Sequence, residues 1–342
     1  MGASTPNPPA APRAGAVLLA GMAIAALVLA ACGSSGGSAA ASSTSAPRGS
    51  STTATTGAAS TQLSTTTTAA PRYAHPHVFL IVMENLGYSA AMATPADAAL
   101  ASRYASTTDY YATSHPSLPN YISLLAGSTL GITSDCVSCF VDAPNLPTEL
   151  SAAGVSWAAY MEAIPGPCYL SPYAPSGLYA GKHDPFVYFD NIRSTPALCN
   201  QIQPLPNLSP LLSGPAGAVP DFVWITPNIC NDGHNCSPEA AGQWLTAMVA
   251  QITASAAWRA GGALYVTWDE GNGGDYSGLS GSSVSSTGGG GHVLTLVIEP
   301  GLAPGTRITD LLDHYSLLKT IEENFHVGLL GASAAPGLAT LP

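Results

Sequence analysis

The chain has 342 residues, a formal charge of −11 and only 8% charged residues. Nine lysines and arginines against twenty acids exclude a basic footprint for nucleic acid. With 46% hydrophobic residues there is ample material for a buried core.

Residues 1–32 read as an export signal. Arg13 supplies a thin positive start, and 14–29 is an apolar run of small and aliphatic residues, too short for a comfortable bilayer span. The run ends in Leu29-Ala30-Ala31-Cys32, which resembles a bacterial lipobox and implies lipidation of Cys32. The expectation is an exported protein, tethered to the outer face of a membrane or secreted. Residues 33–72 are almost entirely Ser, Thr, Ala, Gly and Pro, a composition that buries too little apolar surface to order itself. They read as a disordered linker ahead of one catalytic domain over 73–342.

From Tyr73 the pattern changes. Apolar runs at 78–83, 155–160, 222–225, 264–268 and 293–298 have the character of strands buried on both faces. Helical stretches lie between them, at 120–126, 145–153, 239–259 and 316–325. Pro119 falls in a first helical turn, which puts Ser117 just before that helix. Alternating strands and helices predict an α/β fold, a three-layer α/β/α sandwich around a mostly parallel sheet. The segment 271–291, rich in glycine and serine, reads as a long flexible loop bordering whatever follows Trp268.

Seven cysteines include Cys32 and six others: Cys136, Cys139, Cys168, Cys199, Cys230 and Cys236. An even number in an exported chain suggests disulfides, with 15 possible pairings among six. The spacing Cys136-Val-Ser-Cys139 also suits zinc, but no second Cys-x-x-Cys follows it.

The chemistry concentrates where strands end. The first run stops at Glu84-Asn85 and the fourth at Asp269-Glu270. In parallel sheets ligands sit beyond the carboxyl ends of the strands, so four oxygen-bearing side chains converge there if the strands are neighbours. Such oxygens suit hard divalent cations. Taken singly, each pair is a turn or cap. Ser117, next to a helix start, is either an N-cap or a nucleophile served by the helix amides and a metal. His183, Asp232, His234 and His292 add donors, while His115 borders Ser117 and His314 reads as part of a helix cap.

The ordered set Phe79-Leu-Ile-Val-Met-Glu-Asn85, Ser114-His-Pro-Ser-Leu-Pro-Asn-Tyr121, Lys182-His-Asp-Pro-Phe-Val-Tyr188, Thr226-Pro-Asn-Ile-Cys-Asn-Asp-Gly-His234, Thr267-Trp-Asp-Glu270 and Asp313-His-Tyr-Ser-Leu-Leu-Lys-Thr-Ile-Glu322 resembles the bacterial phosphoesterase family. That family joins acid phosphatases and phospholipase C enzymes within the alkaline phosphatase superfamily. The resemblance implies an alkaline-phosphatase-like fold and hydrolysis of phosphate esters through a covalent phospho-serine. It places Ser117 as nucleophile, and Glu84, Asn85, Ser117, Asp269 and Glu270 around a divalent metal ion, Mg, Ca, Mn or Zn. It sets His183, Asp232 and His234 against the phosphate, with a second ion or a proton-donor role both open, and His292 beside the metal. Without the C-terminal segments of larger phospholipase C members, the match implies a phosphomonoesterase, with a phospholipid or phosphoinositide head group among its substrates. A phosphodiesterase or phospholipase C on the same scaffold, a solute-binding lipoprotein and a structural, disulfide-braced lipoprotein are the alternatives.

Overall fold

The computed structural model describes residues 73–278 and 289–342. The export signal over 1–32 with Cys32, the linker over 33–72 and the middle of the glycine-rich loop lie outside the described residues. The described strands are β1 Val78–Met83, β2 Ala105–Thr107, β3 Tyr110–Tyr111, β4 Trp157–Met161, β5 Ile202–Pro204, β6 Phe222–Thr226, β7 Ala263–Trp268, β8 Thr295–Ile298, β9 Arg307–Ile308 and β10 Leu312–Asp313. One sheet runs in the order β5-β4-β6-β1-β7-β8-β2-β9, and β10 pairs with β3 apart from it.

The five apolar runs become β1, β4, β6, β7 and β8, each buried at every position. Successive strand side chains point to opposite faces, so unbroken burial means that both faces are covered. The pairs β5–β4, β4–β6, β6–β1 and β1–β7 are parallel, whereas β8 runs antiparallel to β7 and to β2. The fold is therefore α/β with a mostly parallel central sheet. The helix Pro95–Arg103 packs with Pro238–Thr253, and Ser117–Ala126 packs with His314–Phe325.

Several element boundaries differ from the sequence expectation. The helix expected over 120–126 begins at Ser117, so Ser117 is its first residue and Pro116 its N-cap. The long helix expected over 239–259 breaks into Pro238–Thr253 and Ala256–Arg259. Ser255 makes the break by accepting a hydrogen bond from the Trp258 amide, an N-cap inside an otherwise continuous pattern. The helix expected from Ser316 starts at His314, with Asp313 as the capping residue through the Ser316 amide at 2.9 Å.

The cysteines resolve into three disulfides, Cys136–Cys139, Cys168–Cys199 and Cys230–Cys236. The Cys136–Cys139 pair is thus oxidised rather than a pair of zinc thiolates. No helix among the described residues is long and apolar enough to cross a membrane.

Candidate active site

Three neighbouring strands deliver the site. Met83 pairs with Trp268 across β1 and β7, and Ile81 with Ile225 across β1 and β6, so the three carboxyl ends lie level. The chain leaving β1 carries Glu84 and Asn85, and that leaving β7 carries Asp269 and Glu270. The chain after β6 carries Asp232, whose carbonyl accepts from the Glu84 amide at 3.0 Å.

Asn85 turns the chain with φ 51°, a left-handed conformation that Asn tolerates better than most residues. That turn aims its backbone N–H at Asp269 Oδ1, 3.0 Å away, and its side chain Nδ2 at Glu84 Oε2, 2.8 Å away. The Ser117 hydroxyl donates to the same Glu84 Oε2 at 3.0 Å. Glu84 and Ser117 are each 1% exposed.

Ser117 is held by more than its helix. Asn120 Oδ1 accepts from the Thr113 amide, the Thr113 hydroxyl and the Ser114 amide, while its Nδ2 donates to the Ser114 carbonyl. One buried amide thereby ties the segment leading to Ser117 to the helix's first turn. Asn120 opens the helical stretch expected over 120–126, and its place three residues after Ser117 is the signal for this role.

On the other side of Glu84, His183 Nε2 lies 2.9 Å from Glu84 Oε1, and His183 Nδ1 lies 3.1 Å from Asp232 Oδ2. His234 is exposed and lies 3.2 Å from Lys182 Nζ. Glu84, His183 and His234 each offer one ligand atom within 4.8 Å of one another, so together they can hold a metal ion. His115, two residues before Ser117, binds Glu270 Oε2 through Nδ1 at 2.7 Å and the Asp275 carbonyl through Nε2 at 2.8 Å.

The structure does not bring His292 to this cluster. Its ring stacks on Tyr88 at 4.3 Å and Tyr111 at 5.1 Å, and its Nε2 meets the Thr108 carbonyl. His314 is neither cap nor ligand: its ring lies between the Tyr110 hydroxyl and the Asp269 carbonyl, and burial lowers its pKa to about 4, keeping it neutral. Lys182 and Asp135 are linked at 2.8 Å; Lys182 opens one of the quoted motifs, whereas no motif or strand end in the sequence marks Asp135.

The electrostatics of the cluster favour a bound cation. Burial raises Asp269 well above the usual carboxylate range, and Glu84 and Glu270 push it further. Asp232 and Glu270 are raised as well, first by burial. Burial also opposes ionisation of Glu84, but His183, Lys182 and His234 outweigh it and hold Glu84 low. His183, despite burial, is raised to about 9 by Glu84 and Asp232. Glu84 Oε1 and Asp232 Oδ2 are taken up by the two His183 ring nitrogens, whereas the buried Asp269 Oδ2 finds no hydrogen-bond partner among the described residues. Four crowded carboxylates, one with a buried unpaired oxygen, beside imidazole nitrogens fit a divalent cation.

The model of the Phosphoesterase family matches residues 57–328 of this chain. The chain is 30% identical over 282 residues to the phosphatidylinositol-3-phosphatase of Mycobacterium tuberculosis, covering 80% of this chain and 84% of that protein. It is 26% identical over 259 residues to an acid phosphatase of Aspergillus fumigatus, covering 74% of this chain but only 55% of the fungal protein. Among solved structures, a Vibrio parahaemolyticus protein of the alkaline phosphatase superfamily superposes with a TM-score of 0.50 at 11% identity, over 77% of this chain and 70% of that one. That last likeness bears on the fold alone.

Proposed function

Because the chain belongs to the phosphoesterase family and is a phosphatase, we propose that it is a phosphomonoesterase working through a covalent phospho-Ser117. The observation that carries this reading is the buried Ser117 hydroxyl, hydrogen-bonded to Glu84 at the mouth of three level strand ends. Ser117 Oγ forms the bond to phosphorus as the bond to the alcohol oxygen breaks. The hydroxyl proton passes to solvent, and water later cleaves the phosphoserine.

Glu84, Asn85, Asp269 and Glu270 would hold a divalent cation, with His183, His234 and Asp232 as the adjoining donors. When bound, the cation would lower the serine pKa and neutralise phosphate charge. His183 is enclosed between Glu84 and Asp232, whereas His234 is exposed, so His234 is the one open to a leaving-group oxygen. The close approach of Glu84, His183 and His234 supports a second role for His234 as a ligand. His234→Asn separates the two: an acid role costs activity mainly on poor leaving groups, and a ligand role costs metal content.

The likeness to a phosphatidylinositol-3-phosphatase supports a phosphoinositide monoester as substrate. The three disulfides support export, since such bonds persist in oxidising compartments. We place the catalytic domain over 73–342, behind a signal over 1–32 lipidated at Cys32 and a linker over 33–72. Incorporation of labelled fatty acid, lost in Cys32→Ala, is the outcome expected of that anchor.

The deciding experiment is hydrolysis of an aryl phosphate by the wild type and Ser117→Ala, with and without chelator. Ser117→Ala should lower kcat/KM by at least about 1,000-fold, and chelation should abolish wild-type activity. Near wild-type rates in Ser117→Ala would remove the serine from the mechanism. A bis-aryl diester hydrolysed faster than the monoester would replace monoesterase with diesterase.

A further inference from the structure

We propose that Asp135 is an internal anion that occupies the phosphate-binding donors beside Ser117 and so weakens the enzyme's hold on phosphate. This rests on the reading of Ser117 as nucleophile.

The helix Ser117–Ala126 opens on Pro116, with no side-chain cap from its own N-cap residue and no acid in its first turn. The Leu118 amide, one residue beyond the nucleophile, instead donates to Asp135 Oδ1 at 3.0 Å, across seventeen residues of sequence. Asp135 Oδ2 takes the Lys182 ammonium at 2.8 Å. Lys182 lies 3.2 Å from Nε2 of His234, which groups with Glu84 and His183, so it faces the same cluster. One carboxylate therefore bridges a helix N-terminal amide and a cation, the two kinds of donor that a phosphate would engage there.

The placement is built in. Asp135 directly precedes the Cys136–Cys139 disulfide, and the buried Tyr188 donates its hydroxyl to the Cys136 carbonyl at 2.9 Å. Elsewhere the cluster is crowded with carboxylates: Glu84, Asp232, Asp269 and Glu270. Lys182 and the Leu118 amide are the donors on the helix side of the cluster, and Asp135 already answers both. A phosphate group must displace this carboxylate or share Lys182 with it. The consequence is weaker binding of substrate and faster escape of inorganic phosphate.

The test is the binding of inorganic phosphate in the Ser117→Ala background, by calorimetry, with and without Asp135→Asn. Losing one nearby negative charge should tighten phosphate on the order of tenfold. In the Ser117-containing enzyme, Asp135→Asn should lower the phosphate Ki and the aryl-phosphate KM together, and adding Lys182→Met should cancel the gain. A residue that merely braces Lys182 would give the opposite sign. Unchanged or weaker phosphate binding in Asp135→Asn, with an unchanged thermal melt, overturns the proposal. If the melt shifts, Asp135→Glu is the second variant: it restores the charge and must bind phosphate more weakly than Asp135→Asn. Because binding is read without turnover, failure here is distinct from failure of the serine assignment, which the activity of Ser117→Ala alone decides.

Discussion

His115 shows how a single side chain sets the geometry of its neighbour. Its Nδ1 holds Glu270 at 2.7 Å while its Nε2 is anchored on the Asp275 carbonyl, so Glu270 cannot swing away from the cluster. The carboxylate bond raises the His115 pKa against the opposing effect of burial. His115→Gln should cost about 10- to 100-fold in kcat/KM or in metal content, the usual penalty for losing a partner that orients a ligand. Steady-state kinetics with metal analysis of the purified variant measures it. Unchanged values in both would leave His115 as packing alone.

At the scale of elements, the Ser117 helix must end as sharply as it begins. Gly127 closes it with φ 64°, and a Cβ there would overlap the Leu330 carbonyl. The Gly127 carbonyl also accepts from the Ala332 amide at 2.8 Å. Gly127→Ala should therefore destabilise by about 1–3 kcal/mol, through the left-handed backbone as well as the overlap; urea unfolding reads it directly. A second contact is sensitive to pH. Asp97, buried on the helix Pro95–Arg103, is pushed up to about 7 by burial and then by Glu239. A carboxyl that binds its proton more tightly when folded stabilises the fold at low pH, and stability falls as pH rises from about 4 to about 7. Between about pH 5 and about pH 8 the wild type should lose a few degrees of Tm more than Asp97→Asn. Parallel Tm profiles would show that Asp97 does not carry this dependence.

Across the whole molecule, the Cys168–Cys199 bridge is the one with leverage, closing a separation of 31 residues against 3 and 6 for the others. Its removal in a Cys168→Ser, Cys199→Ser variant should cost roughly 3–4 kcal/mol by loop-closure entropy. Chemical unfolding of the variant against the wild type measures this, and a cost below that of removing Cys136–Cys139 would contradict it. The same contrast of range explains what was legible. The runs ending at Glu84 and Asp269 stand out because a strand covered on both faces is apolar without alternation and stops where it reaches the site. The break at Ser255, the strands β2, β3, β9 and β10, and the pairing of Asp135 with Lys182 were not legible. The strands are two or three residues long and exist only through their partners, and the ion pair joins residues 47 apart in sequence. By itself the sequence determined the α/β class and the family, because periodicity, polarity and motif order belong to the chain alone. Only the tertiary structure decided that Glu84 faces both Ser117 and His183, that His292 stacks on tyrosines away from the carboxylates, and that Asp135 answers the helix amide. Those are contacts between strand ends and loops, and they follow from strand order and register, which no local stretch of sequence encodes.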